Sequence, residues 1–138
     1  MKGRAAVVTG AASGLGLGIA HGLAARGARV AIVDLELSRA RRACEEVGHG
    51  AMAIAADVTV PDQVASLFHE AAQLGDLSLL VNNAGIVRMG ASESFAFDDW
   101  KRVIDVNLTA VFLCSQAAAR RMIPAGGGSI VNIASIAG

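Results

Sequence analysis

The chain has 138 residues, of which 54% are hydrophobic and 17% charged, and twelve basic residues balance twelve acidic ones. This composition excludes a disordered chain and argues against a nucleic-acid-binding protein, which would need a basic surface to neutralise phosphates. The length predicts a single domain over residues 1–138.

Short apolar runs alternate with longer amphipathic segments along the chain. The predicted strands are 5–9, 29–33, 51–56, 77–81 and 129–133, and the predicted helices are about 14–26, 38–47, 61–74 and 98–122. Ser38 is expected to cap the second helix, and Pro124 to end the fourth. Because the strands are continuously apolar rather than alternating, they indicate a parallel sheet covered on both faces. The sequence therefore predicts an α/β fold with a doubly wound sheet.

A glycine-rich segment, TGAASGLG at residues 9–16, separates the first strand from the first helix. Glycines there let a diphosphate approach the backbone, and the N–H groups and dipole of the following helix stabilise its charge. No GKS or GKT tripeptide occurs in the chain, which excludes a P-loop. Ordinary tight turns also use glycine, so the position between strand and helix decides in favour of a dinucleotide site.

Asp34 lies at the end of the second strand segment. A carboxylate there accepts hydrogen bonds from the adenosine ribose and repels a 2′-phosphate, so NAD is expected rather than NADP. Taken alone, Asp34 could equally be a surface residue in a turn. No arginine follows it directly, and the side chains of Arg39, Arg41 and Arg42 are interpreted as a solvated helix face.

Polar or glycine residues also follow the later strands: Asp57 and Val58, then NNAG at 82–85, then Ser135. Ligands of open α/β sheets bind outside the carboxyl ends of the strands, so these residues predict one site at one edge. Each has a simpler alternative. Asp57 could cap the turn before Pro61, NNAG could be an ordinary turn, and Asn107 could be a solvent-facing helix residue.

Cys44 and Cys114 stand alone, with no CxxC motif and no nearby histidine pair. Neither a metal site nor a disulfide is expected from them. Isolated cysteines without a signal peptide are typical of a reducing compartment, so we expect a cytoplasmic location. No apolar run is long enough to span a bilayer, and no membrane partner is expected.

Together these segments resemble the short-chain dehydrogenases/reductases of the smaller, single-domain type. The segments that carry the resemblance are TGAASGLG, Asp34, Asp57 with Val58, NNAG, Asn107 within DVNLTAVF, and GSIVNIASIAG at 128–138. They cover the whole chain in order. The resemblance implies a Rossmann-type sheet of five strands in the order 3-2-1-4-5. It also implies hydride transfer between NAD and a small secondary alcohol or ketone.

The resemblance further implies roles for individual residues. Those expected to wrap the cofactor diphosphate are Gly10, Ser13, Gly14, Leu15 and Gly16. Those expected at the ribose, the adenine and beneath the cofactor are Asp34, then Asp57 and Val58, then Asn83, Ala84 and Gly85. Asn82 would steady the middle strands. Two residues would be catalytic: Asn107, whose backbone would hold a water of the proton relay, and Ser135, which would hydrogen-bond the substrate oxygen.

In the family a tyrosine, with a lysine four residues later, moves the proton shortly after this serine. The 138 residues contain no tyrosine, and the sequence reaches Gly138 before that motif would begin. The expected fold is therefore truncated relative to the family. The alternative function is a catalytically incompetent dinucleotide-binding fragment, and a structural or regulatory α/β domain is a third candidate.

The fourth predicted helix is apolar around most of its circumference, so burial on several sides is expected. In the family this helix and the next one commonly form a subunit interface, which implies a homo-oligomer. Without further chain, the fifth strand would be an exposed hydrophobic edge, and low stability or association is expected.

Overall fold

A computed structural model describes residues 2–135 of the chain. The strands are β1 (Ala5–Thr9), β2 (Arg29–Asp34), β3 (Met52–Ala55), β4 (Leu77–Asn82) and β5 (Ser129–Asn132). They form one sheet in the order β3-β2-β1-β4-β5, and every pair of neighbours is parallel. The predicted Rossmann-type sheet and its strand order are confirmed.

Helices connect the strands and cover both faces of the sheet. They are α1 (Gly14–Ala25), α2 (Leu37–Val47), α3 (Pro61–Ala71), α4 (Phe97–Ile104) and α5 (Ala110–Met122). Short 3-10 turns occupy Ala72–Leu74 and Ser92–Ser94, and a π-turn at Asp105–Thr109 joins α4 to α5. None of the helices within residues 2–135 has the length and apolar character needed to cross a membrane.

Two helix predictions need correction. The prediction that Ser38 caps the second helix is wrong, because α2 begins at Leu37 with Glu36 in the N-cap position. The Asp34 carboxylate accepts a hydrogen bond from the Glu36 backbone N–H at 3.2 Å, which fixes the turn before Ser38 is reached. The predicted fourth helix is divided into α4, the π-turn and α5, a division that the apolar pattern did not reveal.

The core consists of two apolar layers, one on each face of the sheet. Val7 and Leu80 point to the α3–α5 side, where they pack with Leu67 of α3. Val8 and Ile32 point to the α1–α2 side. Because successive strand residues point to opposite faces and both faces are covered, the central strands are apolar throughout.

Helix α5 packs against the sheet on one side, through the buried row Ala110, Cys114, Ala118 and Met122. Its other side is open: Phe112 is 61% exposed, and Leu108 of the π-turn is 62% exposed. Burial on several sides is therefore not seen within the described residues, which do not include the neighbouring helix on which that prediction depended. β5 is an edge strand whose residues are all exposed, as expected.

Candidate functional site

A groove of about 290 Å3 runs along the carboxyl edge of the sheet. The strands end at one level because they pair in register, with Thr9 beside Val33 and Asp34 beside Ala55. The predicted site residues that line the groove are Gly10, Ser13, Asp34, Asp57, Val58, Asn83, Ala84 and Gly85. The fold thus brings the ends of four strands to a single concave surface.

Two glycines of the loop after β1 are required by packing. Gly10 has φ +61°, and a Cβ there would lie 2.9 Å from the Ala84 Cα. A Cβ on Gly16 would collide with the Asn83 side-chain nitrogen and lie 2.6 Å from the Gly10 carbonyl oxygen. These glycines let the loop lie directly against the segment that follows β4. Gly16 is accordingly buried beneath the groove rather than in its lining.

The start of α1 is open to a ligand. Gly14 has φ +55°, and a Cβ built on it meets no atom within 4 Å. Ser13 occupies the N-cap position, yet its side chain makes no capping hydrogen bond. The first N–H groups of α1 are therefore not satisfied by a cap, and an anion would satisfy them. Leu15 is 62% exposed and does not line the groove.

Thr9 and Asn83 lock β1 to the segment after β4. The buried Thr9 hydroxyl accepts hydrogen bonds from the backbone N–H groups of Asn83 at 3.1 Å and Ala84 at 3.0 Å. The Asn83 side-chain amide donates to the carbonyl oxygens of Thr9 at 2.9 Å and Gly10 at 3.0 Å. The NNAG segment is therefore more than an ordinary turn. Sequence reasoning missed the role of Thr9, although it begins the glycine-rich segment.

Asn82 links three elements below the groove. Its side-chain nitrogen donates to the Asn132 Oδ1 of β5 at 2.9 Å and to the Ser115 hydroxyl of α5 at 3.1 Å. The residue is 4% exposed. These contacts fit the expectation that it steadies the middle strands.

Asp57 caps the turn that follows β3. Its Oδ1 accepts from the Thr59 backbone N–H at 2.9 Å and from the Thr59 hydroxyl at 2.6 Å. Burial alone would raise the pKa of Asp57, but the Thr59 hydrogen bonds and the charge of Arg102 outweigh it and lower the pKa below 3.8. The capping role considered from the sequence is thus real. Within residues 2–135, Oδ2 receives no hydrogen bond, and Asp57 also lines the groove.

Only one of the two carboxylate oxygens of Asp34, Oδ1, contacts other groups within residues 2–135. Oδ1 accepts from the Glu36 N–H and lies 3.7 Å from Nη1 of Arg39. Arg39 Nη2 also donates to the Ser13 hydroxyl at 3.4 Å. The interpretation of Arg39 as part of a solvated helix face is therefore wrong, whereas Arg41 and Arg42 are exposed as predicted. Long helical side chains point back toward the N-terminus, which was the available signal for Arg39.

The α4 side of the groove was not predicted from the sequence. Ile86, Arg102 and Val106 belong to the same groove lining as Asp34 and Arg39. The segment between β4 and α4 carries no regular pattern, so the sequence did not indicate where α4 would lie. Within residues 2–135, no cluster of histidine, cysteine, aspartate and glutamate is arranged to hold a metal ion.

The two residues expected to be catalytic lie outside the groove lining. Asn107 is in the π-turn, and its side-chain amide pairs with the backbone of Ile86: Oδ1 accepts from the N–H and Nδ2 donates to the carbonyl, both at 2.9 Å. Asn107 thus holds the segment after Gly85 instead of facing solvent unpaired. Ser135 follows β5 at the carboxyl edge of the sheet and is exposed.

Comparison of the sequence with known proteins finds a match to the family profile described as short chain dehydrogenase, over residues 4–138. Among curated relatives, a D-threitol dehydrogenase of Mycolicibacterium smegmatis is 42% identical over 98% of this chain and 54% of its own length. A cis-4-hydroxycyclohexanecarboxylate dehydrogenase of Sinomonas cyclohexanicum is 46% identical over 98% of this chain and 56% of its own length. The chain spans about half the length of the curated relatives it matches.

Solved structures give the same result for the fold. A short-chain type dehydrogenase/reductase from Mycobacterium marinum superposes with a TM-score of 0.94 at 38% identity, over 99% of this chain and 56% of that one. A putative short-chain alcohol dehydrogenase from Sinorhizobium meliloti superposes with a TM-score of 0.93 at 39% identity, with the same coverage.

Proposed function

The chain belongs to the short-chain dehydrogenase family, and we propose from this that residues 1–138 form the dinucleotide-binding domain of an NAD-dependent oxidoreductase. The reaction is hydride transfer between a nicotinamide cofactor and a small secondary alcohol or ketone. One observation carries the proposal: the glycine loop, Asp34, Asp57 and the segment 83–85 line one groove at the carboxyl edge of a parallel sheet.

The residues of this groove fit a dinucleotide. The open loop at Gly14 and the uncapped start of α1 suit a diphosphate. The Oδ2 atom of Asp34 accepts no hydrogen bond from residues 2–135 and suits a ribose hydroxyl, while Asp57 and Val58 suit the adenine. Asn83, Ala84 and Gly85 would pass beneath the cofactor. When bound, the nicotinamide supplies the hydride acceptor or donor.

The catalytic roles proposed for this chain belong to Ser135 and Asn107. Ser135 donates a hydrogen bond to the substrate oxygen and stabilises the charge that develops there. The Asn107 side chain is already engaged by Ile86, so its part in the proton relay falls to its backbone carbonyl. Its position in a π-turn supports this role, since π-turns loosen the regular backbone pairing and are frequent at functional sites.

We also propose a preference for NAD over NADP, based on Asp34. The exposed apolar side chains of Leu108 and Phe112 support a homo-oligomer that covers them. A cytoplasmic location is supported by two free cysteines, Cys44 and Cys114.

Titration of the purified protein with NADH, followed by nucleotide fluorescence, tests the binding function. Gly14→Ala places a methyl in the open space beside the loop, and we expect it to weaken NADH binding about tenfold or more. Gly48→Ala is the matched control, because Gly48 also has positive φ and open space around its Cβ but lies far from the groove. Equal effects of both substitutions, or no NADH binding by the wild type, would contradict the proposal.

A second assay tests catalysis separately. Oxidation of secondary alcohols is followed through NADH absorbance in a chain that also supplies the tyrosine and lysine of the family, with Ser135→Ala as the variant. We expect turnover that Ser135→Ala lowers by about a hundredfold or more, with NADH affinity unchanged. Nucleotide binding without turnover on any secondary alcohol or ketone would favour the binding-only alternative.

A further inference from the structure

We propose that Ser115 is a positioning residue for the reaction: through Asn82 it fixes the end of β5, and thereby the place of Ser135 relative to the bound cofactor. The inference rests on the proposed oxidoreductase function and adds a residue that does not line the groove. Ser115 lies in α5, so its effect on the reaction passes through the end of the sheet.

The first observation is the hydrogen bonding of the Asn82 amide. Its Nδ2 atom donates to the Ser115 hydroxyl at 3.1 Å and to the Asn132 Oδ1 at 2.9 Å, so both N–H groups of the amide are used. Ser115 is half-buried, and Asn82 is 4% exposed. Loss of the Ser115 hydroxyl would leave one of these N–H groups without its acceptor where water has little access. Rotation of the amide toward another acceptor would then release Asn132.

The second observation is that Asn82 contacts the end of β5 through both its side chain and its backbone. Asn82 lies directly opposite Asn132 in the parallel register of β4 and β5. Its carbonyl oxygen also accepts a hydrogen bond from the Ile133 N–H at 2.9 Å. The end of β5 and the residue that follows it are therefore held by one amino acid of β4, whose side chain is oriented by Ser115.

The third observation is the place of Asn82 between two parts of the proposed site. Asn83, the next residue, begins the segment proposed to pass beneath the cofactor, and Ser135 follows Ile133 by two residues. Asn82 thus joins the segment that carries Ser135 to the segment that carries the cofactor. A hydrogen-bond donor stabilises developing charge only at the right distance from it, and a misplacement of about 1 Å can cost about a hundredfold in rate. Ser115 therefore acts on the side chain that sets this distance.

The experiment is a double-mutant cycle between Ser115 and Asn132, in a chain that also supplies the tyrosine and lysine of the family. Oxidation of a secondary alcohol is followed through NADH absorbance. We expect Ser115→Ala to lower kcat about tenfold, with the dissociation constant of NADH within about twofold of wild type. Asn132→Ala should lower kcat at least as much. The double variant should be within about twofold of Asn132→Ala alone, because both side chains act through Asn82.

Two further variants control for the loss of a hydroxyl. Ser115→Thr keeps the acceptor and should retain kcat within about threefold of wild type. Ser66→Ala makes the same substitution as Ser115→Ala at an exposed position of α3, and should leave kcat unchanged. If Ser115→Ala does not fold, Ser115→Cys takes its place, since a thiol is a weak acceptor of similar size.

Hydrogen exchange of the Ile133 N–H measures the same contact without catalysis. We expect exchange to be about tenfold faster in Ser115→Ala than in Ser66→Ala, because the residue that accepts from Ile133 is no longer held from α5. Faster exchange together with unchanged kcat would show that Ser115 stabilises the sheet without affecting the reaction, and would overturn the inference.

The remaining outcomes separate the inference from the proposed function. A kcat of Ser115→Thr as low as that of Ser115→Ala overturns the inference, and so do losses in kcat that multiply in the double variant. A loss of NADH affinity as large as the loss in kcat would assign Ser115 a general structural role and overturns it too. Absence of turnover by the wild-type chain would instead refute the reaction on which the inference depends.

Discussion

Thr9 and Asn83 hold each other in two directions: the Asn83 backbone N–H donates to the Thr9 hydroxyl at 3.1 Å, and the Asn83 side chain donates to the Thr9 carbonyl at 2.9 Å. The Ala84 N–H donates to the same hydroxyl at 3.0 Å. Thr9 is 2% exposed, so water has little access to these groups. One buried hydroxyl therefore fixes where the NNAG segment lies against the end of β1.

Replacing Thr9 by valine tests how much these hydrogen bonds stabilise the fold. The change keeps the shape of the side chain but leaves the N–H groups of Asn83 and Ala84 without their acceptor. We expect the free energy of unfolding in urea to fall by about 2 kcal/mol or more. Thr9→Ser keeps the hydroxyl and should lose less than about 1 kcal/mol. Equal losses in the two variants would show that the methyl group, not the hydroxyl, stabilises this region.

The glycine pair Gly16 and Gly18 offers a matched test on one helix. A Cβ on Gly16 would collide with the Asn83 side chain, whereas a Cβ on Gly18 meets nothing within 4 Å. Gly16→Ala should therefore lower the free energy of unfolding by about 1–3 kcal/mol and weaken NADH binding. Gly18→Ala should raise stability by about 0.5–1 kcal/mol, because alanine is the better helix former. Similar thermal unfolding curves for the two variants would contradict the packing described here.

Asp57 should make stability depend on pH in the acid range. Its pKa is lowered in the folded chain, so its contribution is fully present above the ordinary value of 3.8 and is lost as the pH falls through the folded pKa. We expect Asp57→Asn to destabilise the protein near pH 6 and to differ much less from wild type near about pH 2. Asp98→Asn, at the exposed start of α4, controls for net charge. A difference between wild type and Asp57→Asn that does not change with pH would refute this prediction.

The two cysteines should differ in reactivity. Burial raises the pKa of Cys114 to about 12, and the residue is 1% exposed. Burial and the neighbouring Glu45 charge also raise the pKa of Cys44, but that residue is only half-buried. Iodoacetamide near about pH 8 should therefore label Cys44 first and Cys114 only after unfolding. Mass spectrometry of timed samples measures the order, and early labelling of Cys114 in the folded protein would contradict it.

Asn107 should control the backbone order of the segment after Gly85. In Asn107→Ala the Ile86 N–H loses its acceptor, so its hydrogen exchange should become faster by about tenfold. Asn132→Ala removes a different side-chain amide at the same sheet edge and should leave Ile86 exchange unchanged. Unaltered Ile86 protection in Asn107→Ala would mean that the pairing with Ile86 does not order this segment.

The fold was predictable from the sequence because its signals are local and repeated. Continuous apolar strands separated by amphipathic segments indicate a parallel sheet with covered faces. The glycine loop, Asp34, Asp57 and NNAG each follow a strand, so the sheet itself gathers them at one edge. Most of the groove lining could therefore be named before its geometry was known.

What the sequence did not reveal depends on side-chain direction and on helix register. Arg39 belongs to a run with Arg41 and Arg42, and charge pattern alone does not show which of them turns back toward Asp34. Arg102 lines the groove only because α4 follows an irregular segment of undefined path. The N-cap at Glu36 depends on a hydrogen bond accepted by Asp34, a residue whose position after β2 indicates a ligand contact and not a helix cap.

The π-turn at Asp105–Thr109 amounts to one inserted amino acid in an otherwise regular helix. One extra residue rotates everything after it by roughly 100° relative to an uninterrupted α-helix. Deleting one residue from this turn would let α4 and α5 join as one regular α-helix, with the side chains of α5 rotated by roughly 100° about the helix axis relative to those of α4. Either Arg102 would then turn away from the groove, or the row headed by Ala110 would leave the sheet. The inserted residue therefore lets α4 face the nucleotide groove while α5, which follows it directly, faces the core.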